Sequence, residues 1–397
     1  MNLISQVIAV SVVGLKTVPQ RMGASAAAMF GIAGVVAVMV GVLSIGEGFR
    51  KSMMSTGSPE SVMVMRSGAD SEMSSGLSLD DARVISESPL IASIDGEKAV
   101  SAELFVIIDL PKKGTGTSAN VPLRGIQQAG VLVRSQFELI SGRLFEPGKN
   151  ELIAGVGASR EFANLDVGER ITVGATEWEV VGVFSSGGGI AESEIWTDAP
   201  NLQSAYRRGA TFQSVYLTLE DGRDATFQSF KDALTSDPRV NVRVMRQDDY
   251  FEEQSAIVSN LITGLGGLVA LLMGIGAVFG ALNTMYSSVS GRTVEIATLR
   301  ALGFGTFPVI VSVLLESLLL SLLGGAIGGG FAFFAFDGYK TATLNWQSFS
   351  QVTFAFDVTA TLLVQGVLYA SLIGLVGGCL PAWRAARLPV SAALRAS

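Results

Sequence analysis

Four stretches of the chain are apolar and nearly free of charge. Met22 to Gly46 carries no charged residue, and neither does Gln254 to Gly291. Ala301 to Phe336 is interrupted only by Glu316, and Val358 to Trp383 by none. A helix needs about 20 apolar residues to cross a bilayer. The pattern therefore predicts transmembrane helices at 23–46, 254–284, 307–335 and 359–382. The second run is longer than one crossing, so its helix is expected to cross at 257–284 and to project beyond the bilayer as a stalk.

The segment 47–253 has a different texture. Ser61–Arg66 reads as a strand, and Ser78 with Asp81 forms a capping-box pattern opening a helix to about Glu87. Strand patterns follow from Ile91 and at Ala102–Leu110. A strand–helix–strand unit closes the segment at 213–219, 224–235 and 240–246. In between, short strands at 121–126, 151–154, 170–173, 177–184 and 193–196 are separated by glycine-rich turns. The reading is a β-rich insertion, about 121–200, inside an α/β subdomain built from both flanks. The fold class is thus a membrane protein with four transmembrane helices and a large α+β extracytoplasmic domain between helices 1 and 2.

The remaining segments are shorter. Within 1–22, Leu3, Ile4, Val7, Ile8 and Leu15 fall near one helical face, which predicts an interfacial helix lying on lipid. Residues 285–306 form a loop between spans two and three, 336–358 a short external loop, and 383–397 a tail.

Composition agrees with a mixed molecule. Of 397 residues only 16% are charged, against about 25% in soluble domains. Mean hydropathy is +0.46. Basic residues orient the spans. Lys16 and Arg21 precede the first, Arg292 and Arg300 lie between the second and third, and Arg384, Arg387 and Arg395 follow the fourth. These segments face the cytoplasm. Segment 47–253, with 20 basic and 31 acidic residues and a net charge of −11, lies outside. The expected location is a bacterial inner membrane, multi-pass.

Several chemistries are excluded. There is no histidine, so imidazole catalysis and histidine-ligated metal sites are out. The single cysteine, Cys379, cannot form an intrachain disulfide and reads as a small buried packing residue. A net charge of −7 disfavours nucleic acid. Gly142 to Asn150 has the wrong glycine spacing for a phosphate loop, and Asn150 stands where Ser or Thr is required. No catalytic or metal-binding residues are expected, and no cofactor in this chain.

Two features carry candidate function. Ser290 to Gly303 is too helical in pattern for a turn: Arg292 and Glu295 are three apart, and Val294, Ala297 and Ala301 form an apolar stripe. It reads either as a docking helix or as a positive-inside anchor. Glu316 is the only formal charge within a span, expected to help couple the 290–303 segment to span movement or to make a buried hydrogen bond that fixes helix packing. Glycines crowd the spans. Gly266, Gly267, Gly274 and Gly280 of span two are candidates for close helix packing and dimer contact.

The run Arg292-Thr-Val-Glu-Ile-Ala-Thr-Leu-Arg-Ala-Leu-Gly303 resembles the signature of MacB/FtsX-type (type VII) ABC-transporter permeases. Gly46 to Arg50, Gly148 to Gly155, Val167 to Val173, Val180 to Phe184, Glu194 to Trp196, Leu315 to Ser317 and Pro381 to Arg387 are similar to other family segments in the same order, as are Pro389 and Ala393 to Arg395. The resemblance is MacB-like in the size of the external domain, and it implies a porter-like α/β part carrying the insertion. It implies a permease dimer, with a second and identical permease chain, working on two copies of a separate ATPase that binds ATP and Mg. ATP-driven motion would pass to the outside by mechanotransmission. It makes 290–303 the coupling helix, with Arg292, Glu295 and Arg300 in charge contacts and Ile296 and Leu299 packing on the ATPase. It implies export of a hydrophobic or peptide-like substrate with a periplasmic adaptor (a membrane fusion protein) and an outer-membrane channel. The alternatives are lipoprotein extraction and FtsX-like activation of a cell-wall hydrolase.

Overall fold

The structure is a computed structural model in which residues 3–17, 22–55, 57–134, 136–345 and 350–387 are described. Arg21, Pro389 and Ala393–Arg395, and the outermost parts of 1–22 and 383–397, lie outside the described residues. Two units emerge: a membrane unit of 1–47, 260–339 and 356–397, and an external unit of 48–259 and 340–355.

In chain order, α1 (Leu3–Thr17) and α2 (Met22–Met54) come first. The external unit then runs β1 (Ser61–Arg66), β2 (Leu77–Ser78), α3 (Leu79–Ser86), β3 (Ser93–Ile94), β4 (Glu97–Lys98), β5 (Val100–Pro111) and β6 (Ser118–Ile126). It continues through β7 (Phe137–Gly142), β8 (Glu151–Gly155), α4 (Val156–Glu161), β9 (Arg170–Val173), β10 (Thr176–Ser186), β11 (Ile195–Asp198) and α5 (Ala199–Ala205). Next come β12 (Thr211–Phe212), β13 (Ser214–Thr218), α6 (Asp224–Thr235) and β14 (Val242–Arg246). α7 (Gln247–Ser290), α8 (Thr293–Ala301), α9 (Thr306–Phe336), β15 (Lys340–Asn345), β16 (Ser350–Ala355) and α10 (Ala360–Ala386) complete the fold.

One ten-stranded sheet organises the external unit, in the order β14-β1-β13-β5-β6-β11-β8-β10-β7 with β9 on β10. The β14-β1-β13-β5 end, with α3 and α6, is a split βαβ arrangement. Its helices form for local reasons. The Ser78 hydroxyl accepts from the Asp81 amide while the Asp81 carboxylate accepts from the Ser78 amide, capping α3. α6 buries Phe227, Phe230 and Leu234 along one face against Val62, Val64, Val215 and Val244. A second core, with Leu104, Val121, Leu152, Phe162, Trp178 and Ile195, belongs to the β-rich part.

The two cores meet inside one strand. Val100–Glu103 of β5 pair with β13, whereas Leu104–Pro111 pair with β6. The β-rich part therefore begins at Leu104 rather than near 121. A boundary at 121 would cut the β5–β6 hairpin, and the sequence conceals this because β5 runs through both pairings as one continuous strand with no turn signal at Leu104.

The loop expected at 336–358 is another difference. β15 and β16 form an antiparallel hairpin that belongs to the external unit. Val352 and Phe354 are buried, the Phe354 ring meets Phe49 edge-on at 5.6 Å, and the Thr353 amide donates to the Ser193 hydroxyl.

Among the described residues, four helices are long and apolar enough to cross a bilayer: α2, α7, α9 and α10. α7 starts at Gln247, earlier than the charge-free run, and spans 44 residues, about 66 Å at 1.5 Å per residue. Val36, Val40, Ala332, Leu362 and Ala370 form the packed centre. Small residues set the spacing: a side chain at Gly328 would strike the Ala33 carbonyl, and one at Gly374 the Ser321 hydroxyl. α1 is not only a lipid-surface helix. Leu3, Ile4 and Ile8 are exposed, but Val10, Ser11 and Gly14 are buried, and the Ser312 hydroxyl of α9 donates to the Val10 carbonyl. Cys379 is exposed on α10, not buried, because the helix turns Gly377 and Gly378 inward instead.

Candidate functional site

The coupling segment is built from α7, α8 and α9. α7 ends at Ser290, two residues turn the chain, and α8 follows. Gly303, with φ of +94°, ends the turn after α8 in a conformation that favours glycine. Ile296 of α8 packs in one cluster with Val289, Val309, Val313, Ala382 and Ala385.

Arg292 is the centre of this site, and it points inward. It is 5% exposed. Its Nη1 donates to Glu316 Oε2 at 3.0 Å and its Nε to Glu295 Oε2 at 3.3 Å. Ser288 Oγ donates to Glu316 Oε1 at 2.8 Å. Glu316 is 3% exposed and has both oxygens engaged. A lone carboxylate among apolar helices costs a few kcal/mol, and the opposite charge with two hydrogen bonds offsets that cost. α1 closes over the pair. A Cβ at Gly14 would lie 2.7 Å from Ser312 Oγ and 3.3 Å from both terminal nitrogens of Arg292.

The other sequence-derived residues divide by exposure. Glu295 is exposed, Leu299 and Arg300 are half-buried, and Ile296 is 5% exposed within the chain's own core. Arg292 and Ile296 therefore fix α8 to the spans, where the sequence had placed them on a partner. The expected apolar stripe is corrected as well. Ile296 and Ala297 form the inward face, whereas Val294 and Ala301 are exposed. Together with Glu295 and Leu302, which is 72% exposed, Val294 leaves a mixed outward face.

The span-two glycines also separate. Gly266 packs against Val42, where a Cβ would lie 2.7 Å from Cγ1, and Gly274 against the Tyr369 hydroxyl, which donates to the Ala270 carbonyl at 2.7 Å. Gly267 and Gly280 have open space where a side chain would project.

A second charged cluster, in the external unit, was not found from sequence. Arg124 of β6 donates Nε and Nη2 to Glu194 at 2.8 Å each. It also donates Nη1 and Nη2 to Glu72 at 2.8 and 2.9 Å, and Nη1 to Glu103 at 3.1 Å. Arg134 pairs with Glu103, Ser214 donates to Glu72, and the Trp196 indole donates to Glu194. Burial pushes the Glu72 carboxyl up, but the Arg124 guanidinium more than reverses this and holds it below the usual range. Burial acts against the charge on Arg124, and Glu194 with Glu72 raises it well above the normal value. Among the described residues no group of acids, cysteines or histidines is arranged to hold a metal.

These two units, four spans and the sheet between the first two, define a multi-pass membrane protein with an extracellular domain. The family described as MacB-like periplasmic core domain matches residues 25–236, and that described as FtsX-like permease C-terminal matches 267–390. The chain belongs to the MacB/FtsX-type permeases. It is 27% identical over 394 residues to the uncharacterized ABC transporter permease YknZ of Bacillus subtilis, with 92% of each chain covered. It is 27% identical over 420 residues to the macrolide export ATP-binding/permease protein MacB of Bdellovibrio bacteriovorus, covering 96% of this chain but 61% of that one. The chain therefore spans less than two thirds of the MacB relative. The crystal structure of the periplasmic region of MacB from Actinobacillus actinomycetemcomitans overlaps 49% of this chain and 92% of its own at 17% identity and a TM-score of 0.37.

Proposed function

We propose that this chain is the permease subunit of an ABC transporter in a bacterial inner membrane, and that it transmits motion of an ATPase to its external domain. The observation that carries this reading is α8. It is a short helix fixed from below by the buried Arg292–Glu316 pair while Val294, Glu295 and Leu302 face outward. A helix that must pass force needs a rigid attachment and an outward contact surface, and α8 has both. α7 supplies a transmission element without a break over 44 residues. Two ATPase copies binding ATP and Mg, a second permease chain, and an adaptor for export of a hydrophobic or peptide-like substrate complete the proposal.

The test is purification of the tagged chain in mild detergent, followed by native mass determination and ATPase assay. Two permeases with two ATPase chains and vanadate-sensitive turnover are expected. Repeated recovery of the chain without any ATPase, also from lipid nanodiscs, would overturn the reading. A soluble protein that co-purifies identifies the external partner as an export adaptor, a lipoprotein carrier or a wall hydrolase.

A further inference from the structure

We infer that Glu72 is a positioning residue that links the first turns of α7 to the β-rich part of the external unit. Three observations lead there. First, α7 begins inside the external unit, where Tyr250 and Phe251 are buried. Second, α7 holds the loop after β1. The Glu72 amide donates to the Tyr250 hydroxyl at 3.3 Å, and Gln254 Nε2 donates to the Asp70 carbonyl at 3.2 Å. Third, Glu72 lies in a single 3-10 turn, Glu72–Ser74, and its carboxylate enters the buried cluster. There it takes two hydrogen bonds from Arg124, which itself clasps Glu194 just before β11.

The path is contiguous: α7, the 67–76 loop, Glu72, Arg124, then β6 and Glu194. Each link is a hydrogen bond or ion pair, and those through Tyr250, Glu72, Arg124 and Glu194 are buried, the kind of contact that resists stretching in a low-dielectric interior. The cluster also has room to shift. A 30 Å³ cavity lies against Glu72, Arg124, Glu194, Tyr250 and Gln254, enough for about one or two waters. A displacement of α7 therefore pulls on the 67–76 loop and is delivered through Glu72 to the insertion, rather than being absorbed in the loop. This deepens the proposed transmission and rests on it only in the second arm of the test below.

The test is amide hydrogen exchange of the full chain in nanodiscs, comparing wild type, Tyr250→Phe, Glu72→Gln and the double variant. Tyr250→Phe removes one hydroxyl acceptor and keeps the ring packed, so it stays folded even if Glu72→Gln does not. Tyr250→Phe is expected to raise exchange roughly two- to tenfold in 67–76 and also in β6 and β11, the range one lost hydrogen bond gives. In the double variant, exchange in β6 should not exceed that of Glu72→Gln alone. A rise confined to 67–76, or additive effects in β6, would overturn the inference. In the second arm, ATP and vanadate are added with the ATPase. Wild type should change exchange in β6 and β11, and Tyr250→Phe should lose that change while keeping ATP turnover. Retention of the change would overturn the joint. If wild type itself does not respond, the transmission reading falls, while the link stands on the first arm.

Discussion

Arg292 and Glu316 meet at 3.0 Å although 24 residues separate them, and together they form a buried ion pair in the membrane unit. The pair ties the start of α8 to the middle of α9. Removing one partner leaves an uncompensated buried charge, which costs on the order of 3–5 kcal/mol, whereas apolar replacement of both is close to neutral. Arg292→Met, which leaves the Glu316 carboxylate without its counter-charge, is expected to lower the thermal midpoint of the purified permease markedly, and adding Glu316→Leu to recover most of it. A single variant as stable as wild type in a detergent melting series would show that the pair does not anchor α8.

Gly14 leaves no room for a side chain beside this pair. Gly14→Val places carbon against Ser312 Oγ and the Arg292 guanidinium. Overpacking of this kind costs about 1–3 kcal/mol. The expected result is a lowered melting midpoint and weaker coupling of ATP turnover to output, with Gly14→Ala milder. Equal behaviour of Gly14→Val and wild type would remove α1 from the site.

Glu295 faces outward, so its substitution should separate folding from function. Surface changes of this type stay within about 0.5 kcal/mol. Glu295→Gln keeps an acceptor for the Arg292 Nε and should express and melt close to wild type yet lose retention of the ATPase on an affinity column. Undiminished ATPase recovery and ATP-driven output would exclude Glu295 from the contact.

In the external unit, the Arg143 side chain hydrogen-bonds Glu151 through both terminal nitrogens, at 2.7 and 2.6 Å. The bonds from Arg143, partly opposed by burial, hold the Glu151 carboxyl down at about 2, below its usual 4.5. A lowered folded-state value stabilises the protein above pH 4.5, and this contribution is lost as pH falls from there towards 2. The midpoint difference between wild type and Glu151→Gln should be full at pH 7 and shrink progressively below pH 4.5. A difference that is independent of pH would show that ionisation of Glu151 plays no part.

The spans were legible because charge is costly in lipid, so a charge-free run says nearly the same thing in sequence and in space. The α3 cap was legible because Ser78 and Asp81 act within one turn. β13, α6 and β14 were legible from periodicity. The start of α7 was hidden because Asp248, Asp249, Glu252 and Glu253 make its first turns look like a polar loop. The direction of Arg292 was hidden for another reason. A spacing of three places Arg292 near Glu295 but does not say which side of α8 faces the spans, and the deciding partner, Glu316, is distant in sequence. The cluster around Arg124 draws on Glu72, Glu103, Arg134 and Glu194, which lie in four separate stretches of the chain, so no local pattern announces it. The alternation of Val352 and Phe354 on β16 was a usable strand signal.

That hairpin has a consequence for how the protein is made. Chains grow from the N-terminus at about 5–20 residues per second. After β14 is complete, roughly 110 residues must still be synthesised before β16 ends, which takes on the order of 5–20 s. During that interval the Phe49 ring lacks its Phe354 neighbour and the Ser193 hydroxyl lacks the Thr353 amide. The β6 surface that β16 packs against is likewise uncovered. Biogenesis of the external unit thus waits on insertion of α9, and proteases or chaperones outside the membrane meet an unfinished domain until the last two strands arrive.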